Sequence, residues 1–126
     1  MEGSGYIPDN RPVNDAEREL VLWLLRNGVL GAESLIKQVE GLRVESKCSC
    51  GCPTVHFEVS GSADPFVPRI LANFHGKTEN GEDVGVILWT DEGRISSLEV
   101  YGFGEEEISQ LPLIDTLASL PEATEY

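Results

Sequence analysis

Long hydrophobic stretches are missing from this 126-residue chain: apolar runs reach no more than six residues, as at 84–89, where Gly85 interrupts. A helix that spans a bilayer needs about 20, so no membrane span is expected. The opening Met1-Glu2-Gly3-Ser4-Gly5 has neither the basic nor the apolar stretch of a secretory leader. Positive charge is scarce, with 9 Lys and Arg against 22 Asp and Glu and a net charge of −13. That balance argues against nucleic acid and anionic membranes as partners, since both select basic surfaces. Histidine is limited to His56 and His75, and no G-x-G-x-x-G, P-loop lysine or G-x-S-x-G motif occurs. Ser96-Ser97 falls inside a strand pattern rather than on a nucleophile elbow. No catalytic residue is therefore assigned, and an enzyme is not expected. Cysteine numbers only three, crowded into 48–52, which is not a secreted disulfide framework. Reduced thiols in the cytoplasm are the expectation.

What is present fits one soluble domain. Hydrophobic residues make up 40% and charged residues 25%, as in ordinary globular proteins. A chain of this length can fold without disulfides or metal. Acid is concentrated late: residues 1–78 hold 10 acids and 8 bases, whereas 79–126 hold 12 acids and one base, Arg94. Two explanations stand side by side. The acid keeps a small domain soluble, or it forms a face that steers a basic partner.

Residues 1–12, with two Pro and no apolar periodicity, read as a flexible lead, and 13–126 as a single α+β domain. Asn14 with Glu17 three residues later is a capping box. Leu20, Val21, Trp23, Leu24 and Leu25 follow at helical spacing, and Asn27-Gly28 supplies a left-handed stop. A second helix is expected over 32–39, burying Leu35, Ile36 and Val39. Beyond Gly41 the period falls to two, the mark of strands. Leu42, Val44 and Cys48 alternate with Arg43, Glu45 and Lys47; Val55, Phe57 and Val59 alternate with polar residues, and strands follow near 69–75, 84–89 and 95–103. Pro112 opens a short C-terminal helix through Leu120. The expected architecture is two N-terminal helices packed on a mainly antiparallel sheet of about five strands, with a short helix at the end.

Pairing Val86 with Leu98 and Val84 with Val100 puts an apolar row on one face of the last hairpin. The same parity sends Ile87, Trp89, Ile95, Tyr101 and Phe103 to the opposite face. That second face needs a cover: the segment with Leu111, Leu113, Ile114 and Leu117, a second copy of the chain, or a protein partner. The glutamates at 105–107 read as a solvated run.

The densest chemistry is Cys48-Ser49-Cys50-Gly51-Cys52-Pro53-Thr54-Val55-His56, three thiols and an imidazole within nine residues. Four Cys or His ligands suit tetrahedral zinc. In an extended C-x-C-x-C the sulfurs converge only if the backbone bends, which Gly51 permits. His56 faces away from the core if Val55 and Phe57 face into it. Three readings stay open: thiols that pack like Ala or Val in a hairpin, a zinc site of Cys48, Cys50, Cys52 and His56, or a reactive thiol. On the first reading no cofactor is needed.

The run from Glu17–Leu25 through Cys48, Cys50, Gly51, Cys52, Pro53, Thr54 and Val55 resembles a family of small bacterial domains of unknown function. These have two N-terminal helices and a C-x-C-G-C-P-[ST] motif. The 90–94 turn with Leu98-Glu99-Val100-Tyr101 is similar to their closing hairpin, so the likeness spans about 13–103. The resemblance implies a bacterial single domain and carries no activity or ligand with it. The function expected first is a non-enzymatic protein-interaction domain, of which an immunity-type inhibitor of a basic target is one version. The alternative is a zinc-binding module built on the cysteines. A third is a small-molecule binder or enzyme whose pocket lies between the sheet and the C-terminal segment, its sign a hollow lined by Trp89, Tyr101 and a histidine.

Overall fold

The computed structural model describes residues 6–59, 67–103 and 108–119. Seven antiparallel strands form one sheet: β1 (Tyr6–Pro12), β2 (Arg43–Cys48), β3 (Val55–Phe57), β4 (Ile70–Lys77), β5 (Asp83–Asp91), β6 (Arg94–Gly102) and β7 (Ala118–Ser119). Their spatial order is β1-β2-β3-β6-β5-β4-β7. Helix α1 (Asp15–Asn27) and a 3₁₀ segment (Ala32–Gly41) lie between β1 and β2 in the chain. The five-strand, helix-first expectation is thus overturned. The extra strands come from the two ends of the chain, where apolar alternation is weakest.

At the N-terminal end, Tyr6–Pro12 is a strand and not a flexible lead, pairing Tyr6 with Cys48 and Pro12 with Arg43. Pro8 and Pro12 suit an edge strand, where a missing N–H costs no ladder bond. Arg11 then ties this edge to α1. Its Nη1 and Nη2 donate to the two carboxylate oxygens of Glu17 at 2.9 and 2.8 Å, and its Nε donates to Asp9 at 2.9 Å. Those carboxylates stabilise the guanidinium cation and raise its pKa further. Glu17 is buried and also closes the expected capping box: its N–H donates to Asn14 Oδ1 at 2.8 Å, and the Asn14 N–H donates to Glu17 Oε1 at 3.0 Å.

The stop after α1 works differently from the left-handed turn expected of it. Gly28 is extended, with φ −84°. Glycine is needed because a Cβ there would run into the carbonyl oxygens of Leu71 and Leu24. The second helix is a 3₁₀ segment, with Ala32, Leu35 and Val39 buried and Ile36 only packed against the core. Leu20, Val21, Leu24 and Leu25 of α1 share one core cluster with these residues and with Val44, Phe57, Phe74, Val84, Val86, Leu88, Leu98 and Val100 of the sheet.

The register of the last hairpin also departs from expectation. Glu92 and Gly93 both have positive φ, 52° and 84°, and form a two-residue turn that pairs Asp91 with Arg94 and Thr90 with Ile95. A bulge then shifts the ladder, so that Trp89 faces Ser97, Leu88 faces Leu98 and Val86 faces Val100. One extra residue reverses side-chain parity. Ile95 therefore enters the core at 1% exposure and leaves the face that holds Ile87, Trp89, Tyr101 and Phe103.

At the C-terminal end, a 3₁₀ turn (Ile114–Thr116) and the two-residue β7 replace the expected helix. The Leu113 N–H donates to the Lys77 carbonyl, and β7 pairs with β4. Leu111, Ile114 and Leu117 pack against the core cluster. A Cβ at Gly76, which pairs with buried Val84, would meet Thr116 and Leu117. This segment therefore closes the helix side of the sheet and not its second face. The glutamates at 105–107 and Leu120 lie outside the described residues.

Candidate metal centre

The β2–β3 hairpin builds the centre. Cys48 ends β2, and its N–H donates to the Thr54 carbonyl at 3.2 Å, closing the loop just before β3. Inside the loop the Gly51 N–H donates to the Cys48 carbonyl at 3.4 Å, and Gly51 has φ +94°. That left-handed residue is the bend an extended C-x-C-x-C lacks. As a result the three sulfurs lie within 4.8 Å of one another. Cys48 Sγ and Cys50 Sγ are 2.8 Å apart. The amide of Cys50 donates to Cys48 Sγ at 3.5 Å, and the amide of Cys52 donates to Cys50 Sγ at 3.3 Å. N–H donors facing sulfur are what a metal-bound thiolate uses to spread its charge.

None of the three thiols belongs to the core cluster; Cys48 and Cys52 are half-buried and Cys50 is exposed. They do not pack like Ala or Val. Zinc–sulfur bonds of about 2.3 Å place tetrahedral sulfurs roughly 3.8 Å apart, so a shared ion requires Cys48 and Cys50 to open by about an ångström.

His56 stands on β3 between buried Val55 and Phe57, opposite Ser97 of β6, and so points to the second face as parity requires. The structure leaves it outside the trio of sulfurs: among the described residues only Cys48, Cys50 and Cys52 form a group with converging ligand atoms. Its ring meets that of Tyr6 edge-on at 4.3 Å, and its Nε2 is buried without a hydrogen-bond partner.

Both half-buried cysteines and His56 line a cavity of about 530 Å³ on the second face. Its floor includes Ser97 and Trp89, which pair across β6 and β5. The indole Nε1 of Trp89 donates to Glu99 at 2.9 Å, and the Arg69 guanidinium lies 5.9 Å from the Trp89 ring. No protein-family model, curated protein or solved structure matches this chain. The geometry alone speaks for its chemistry.

Of the five residues expected on the second face, Ile87, Trp89 and Tyr101 are half-buried there and Phe103 is 57% exposed. Tyr101 lies over Gly85, where a Cβ would strike its ring, and meets Phe103 edge-on at 5.5 Å. The hollow expected between the sheet and the C-terminal segment is not found there: the cavity lies on the other face of the sheet, with Trp89 and His56 in its lining but neither Tyr101 nor any residue of the C-terminal segment. Sequence reasoning missed Ser97, Glu99 and Arg69. The first two share the parity of Tyr101 and were accessible by counting. Arg69 precedes β4, and no sequence signal connects it to Trp89.

Of the late acids among the described residues, Glu79, Glu82 and Asp83 lie at the turn into β5, Asp91 and Glu92 at the turn out of it, Glu99 on β6 and Asp115 in the C-terminal 3₁₀ turn. Along β5 the two turns are roughly 26 Å apart. No helix among the described residues is long and apolar enough to cross a membrane.

Proposed function

We propose that this chain is a soft-metal-binding module, with zinc as the expected ion and Cys48, Cys50 and Cys52 as its thiolate ligands. The convergence of the three sulfurs within 4.8 Å carries this reading. The N–H···S bonds support it, as does the exclusion of all three cysteines from the core. Thiolates select zinc or copper(I) over the hard cations, and a reducing compartment such as the cytoplasm keeps them available. The test is native mass spectrometry of protein purified without a metal-affinity tag, under reducing conditions. One zinc per chain, lost in Cys50→Ser, is the expected result. Metal-free protein that stays metal-free after zinc is added overturns it.

A second reading, a protein-interaction domain, rests on Phe103 standing 57% exposed beside Tyr101 on the second face. With a net charge of −13, the partner would be basic, as for an immunity-type inhibitor. Binding to such a partner should weaken as salt rises.

A further inference from the structure

The three sulfurs come from five consecutive residues, 48–52, and so reach an ion from a single short stretch of backbone. Tetrahedral zinc needs a fourth donor, and among the described residues no further Cys, His, Asp or Glu converges on the trio. Three such thiols suit a centre that forms three bonds and stops. Arsenic(III) does so: its lone pair takes the fourth position and presses the three bonds toward right angles. Its sulfurs then sit closer together than the roughly 3.8 Å of tetrahedral zinc. Cys48 Sγ and Cys50 Sγ, 2.8 Å apart, therefore need to open less for arsenic than for zinc. Charge points the same way. Zinc with three thiolates carries −1, beside a cavity whose lining already holds Asp91 and Glu99 against one cation, Arg69. Arsenic(III) with three thiolates is neutral. Arsenous acid is itself uncharged near neutral pH, so the protein's net charge of −13 does not repel it.

We infer that Cys48, Cys50 and Cys52 form a binding site for arsenite, the trivalent oxyacid of arsenic, which they hold through all three sulfurs. The inference rests on the same trio of ligands as the metal reading above and gives it a different occupant. Three arsenic–oxygen bonds break and three arsenic–sulfur bonds form, and the three thiol protons leave with the three hydroxides as water. Arsenic stays trivalent, so no oxidant or reductant is needed. Cys50 is exposed and offers the accessible sulfur for the first exchange, and half-buried Cys48 and Cys52 complete it. The amides of Cys50 and Cys52, which donate to sulfur at 3.5 and 3.3 Å, hold the turn in a shape close to the bound one.

The full chain, reduced with a phosphine so that no other thiol competes, is titrated with sodium arsenite and followed by native mass spectrometry and by the sulfur-to-arsenic absorption band. One arsenic per chain, with three hydrogens lost, is the expected result. Cys48→Ser, Cys50→Ser and Cys52→Ser should each lose only two hydrogens and bind arsenite about tenfold or more weaker. Phenylarsine oxide has only two positions to exchange. It should bind the wild type and Cys52→Ser alike, because that variant keeps the Cys48–Cys50 pair, which also checks that the turn survives the substitution. Arsenic held by two sulfurs in the wild type, or serine variants that bind arsenite as tightly as the wild type, overturns the inference. Zinc is titrated in parallel. Uptake of zinc without arsenite overturns the inference and leaves the metal reading standing, whereas uptake of arsenite without zinc overturns the zinc reading alone. A chain that takes up neither sinks both.

Discussion

Cys48 Sγ lies 2.8 Å from Cys50 Sγ across the tip of the β2–β3 hairpin. Two thiols held this close compete between two fates, sharing a metal ion or forming a bond with each other. Oxidised glutathione should convert the metal-free protein to a Cys48–Cys50 disulfide, releasing two molecules of reduced glutathione and leaving Cys52 free to alkylate. Prior loading with zinc should slow the reaction by about tenfold, since the attacking thiolates are then bound. Peptide mapping after alkylation reads both outcomes. A Cys48–Cys52 bond formed in preference would contradict the observed spacing.

The ligand set can be separated residue by residue. Cys48→Ser, Cys50→Ser and Cys52→Ser should each weaken zinc binding by about a hundredfold or more, because a hard hydroxyl replaces a soft thiolate. His56→Ala should change affinity by less than about threefold, as its ring lies outside the sulfur group. Competition with a chromophoric chelator measures all four. A loss at His56 equal to that at the cysteines would make it the fourth ligand.

Stability should expose the bond between the first strand and the first helix. Arg11→Met leaves the buried Glu17 carboxylate without its bidentate partner and should cost about 2 kcal/mol. Arg18→Met, which removes an exposed contact to Asp15, should cost under about 0.5 kcal/mol. Urea unfolding of the two variants gives the contrast.

The bulge in the last hairpin makes a prediction of its own. Ile95→Ala should cost about 2–4 kcal/mol, because Ile95 is 1% exposed, whereas Phe103→Ala should fall within about 0.5 kcal/mol. Gln38→Ala should cost about 1–2 kcal/mol, since its amide accepts from the Ile95 N–H at 2.9 Å and donates to the Gly93 carbonyl at 2.9 Å. Thermal denaturation ranks the three. Similar costs for Ile95 and Phe103 would place them on one face after all.

Much of the site was legible in the sequence. The cysteine spacing, the bend available at Gly51 and the outward parity of His56 are properties of neighbours in the chain, and the hairpin realises all three. The cavity was only half legible. Trp89 and a histidine were expected beside a hollow, but the hollow adjoins the cysteine turn, because Tyr6 pairs with Cys48 and β3 with β6. Such pairings join residues about 40 positions apart and leave no local trace.

By itself the sequence determined what acts within a turn or two of the chain. The Asn14–Glu17 capping box, the alternation at 55–57 and the positive-φ bend at Gly51 each depend on groups a few residues apart, whose geometry covalent spacing already restricts. Only the tertiary structure decided the rest. Tyr6–Pro12 becomes a strand because β2 offers a free edge and Glu17 binds Arg11. The C-terminal segment becomes an edge strand because β4 supplies its partners. Ile95 turns inward because Gln38 holds its N–H at a bulge. Backbone groups bond to whatever partner the fold brings near, and a sheet edge finds its partner in space and not in sequence.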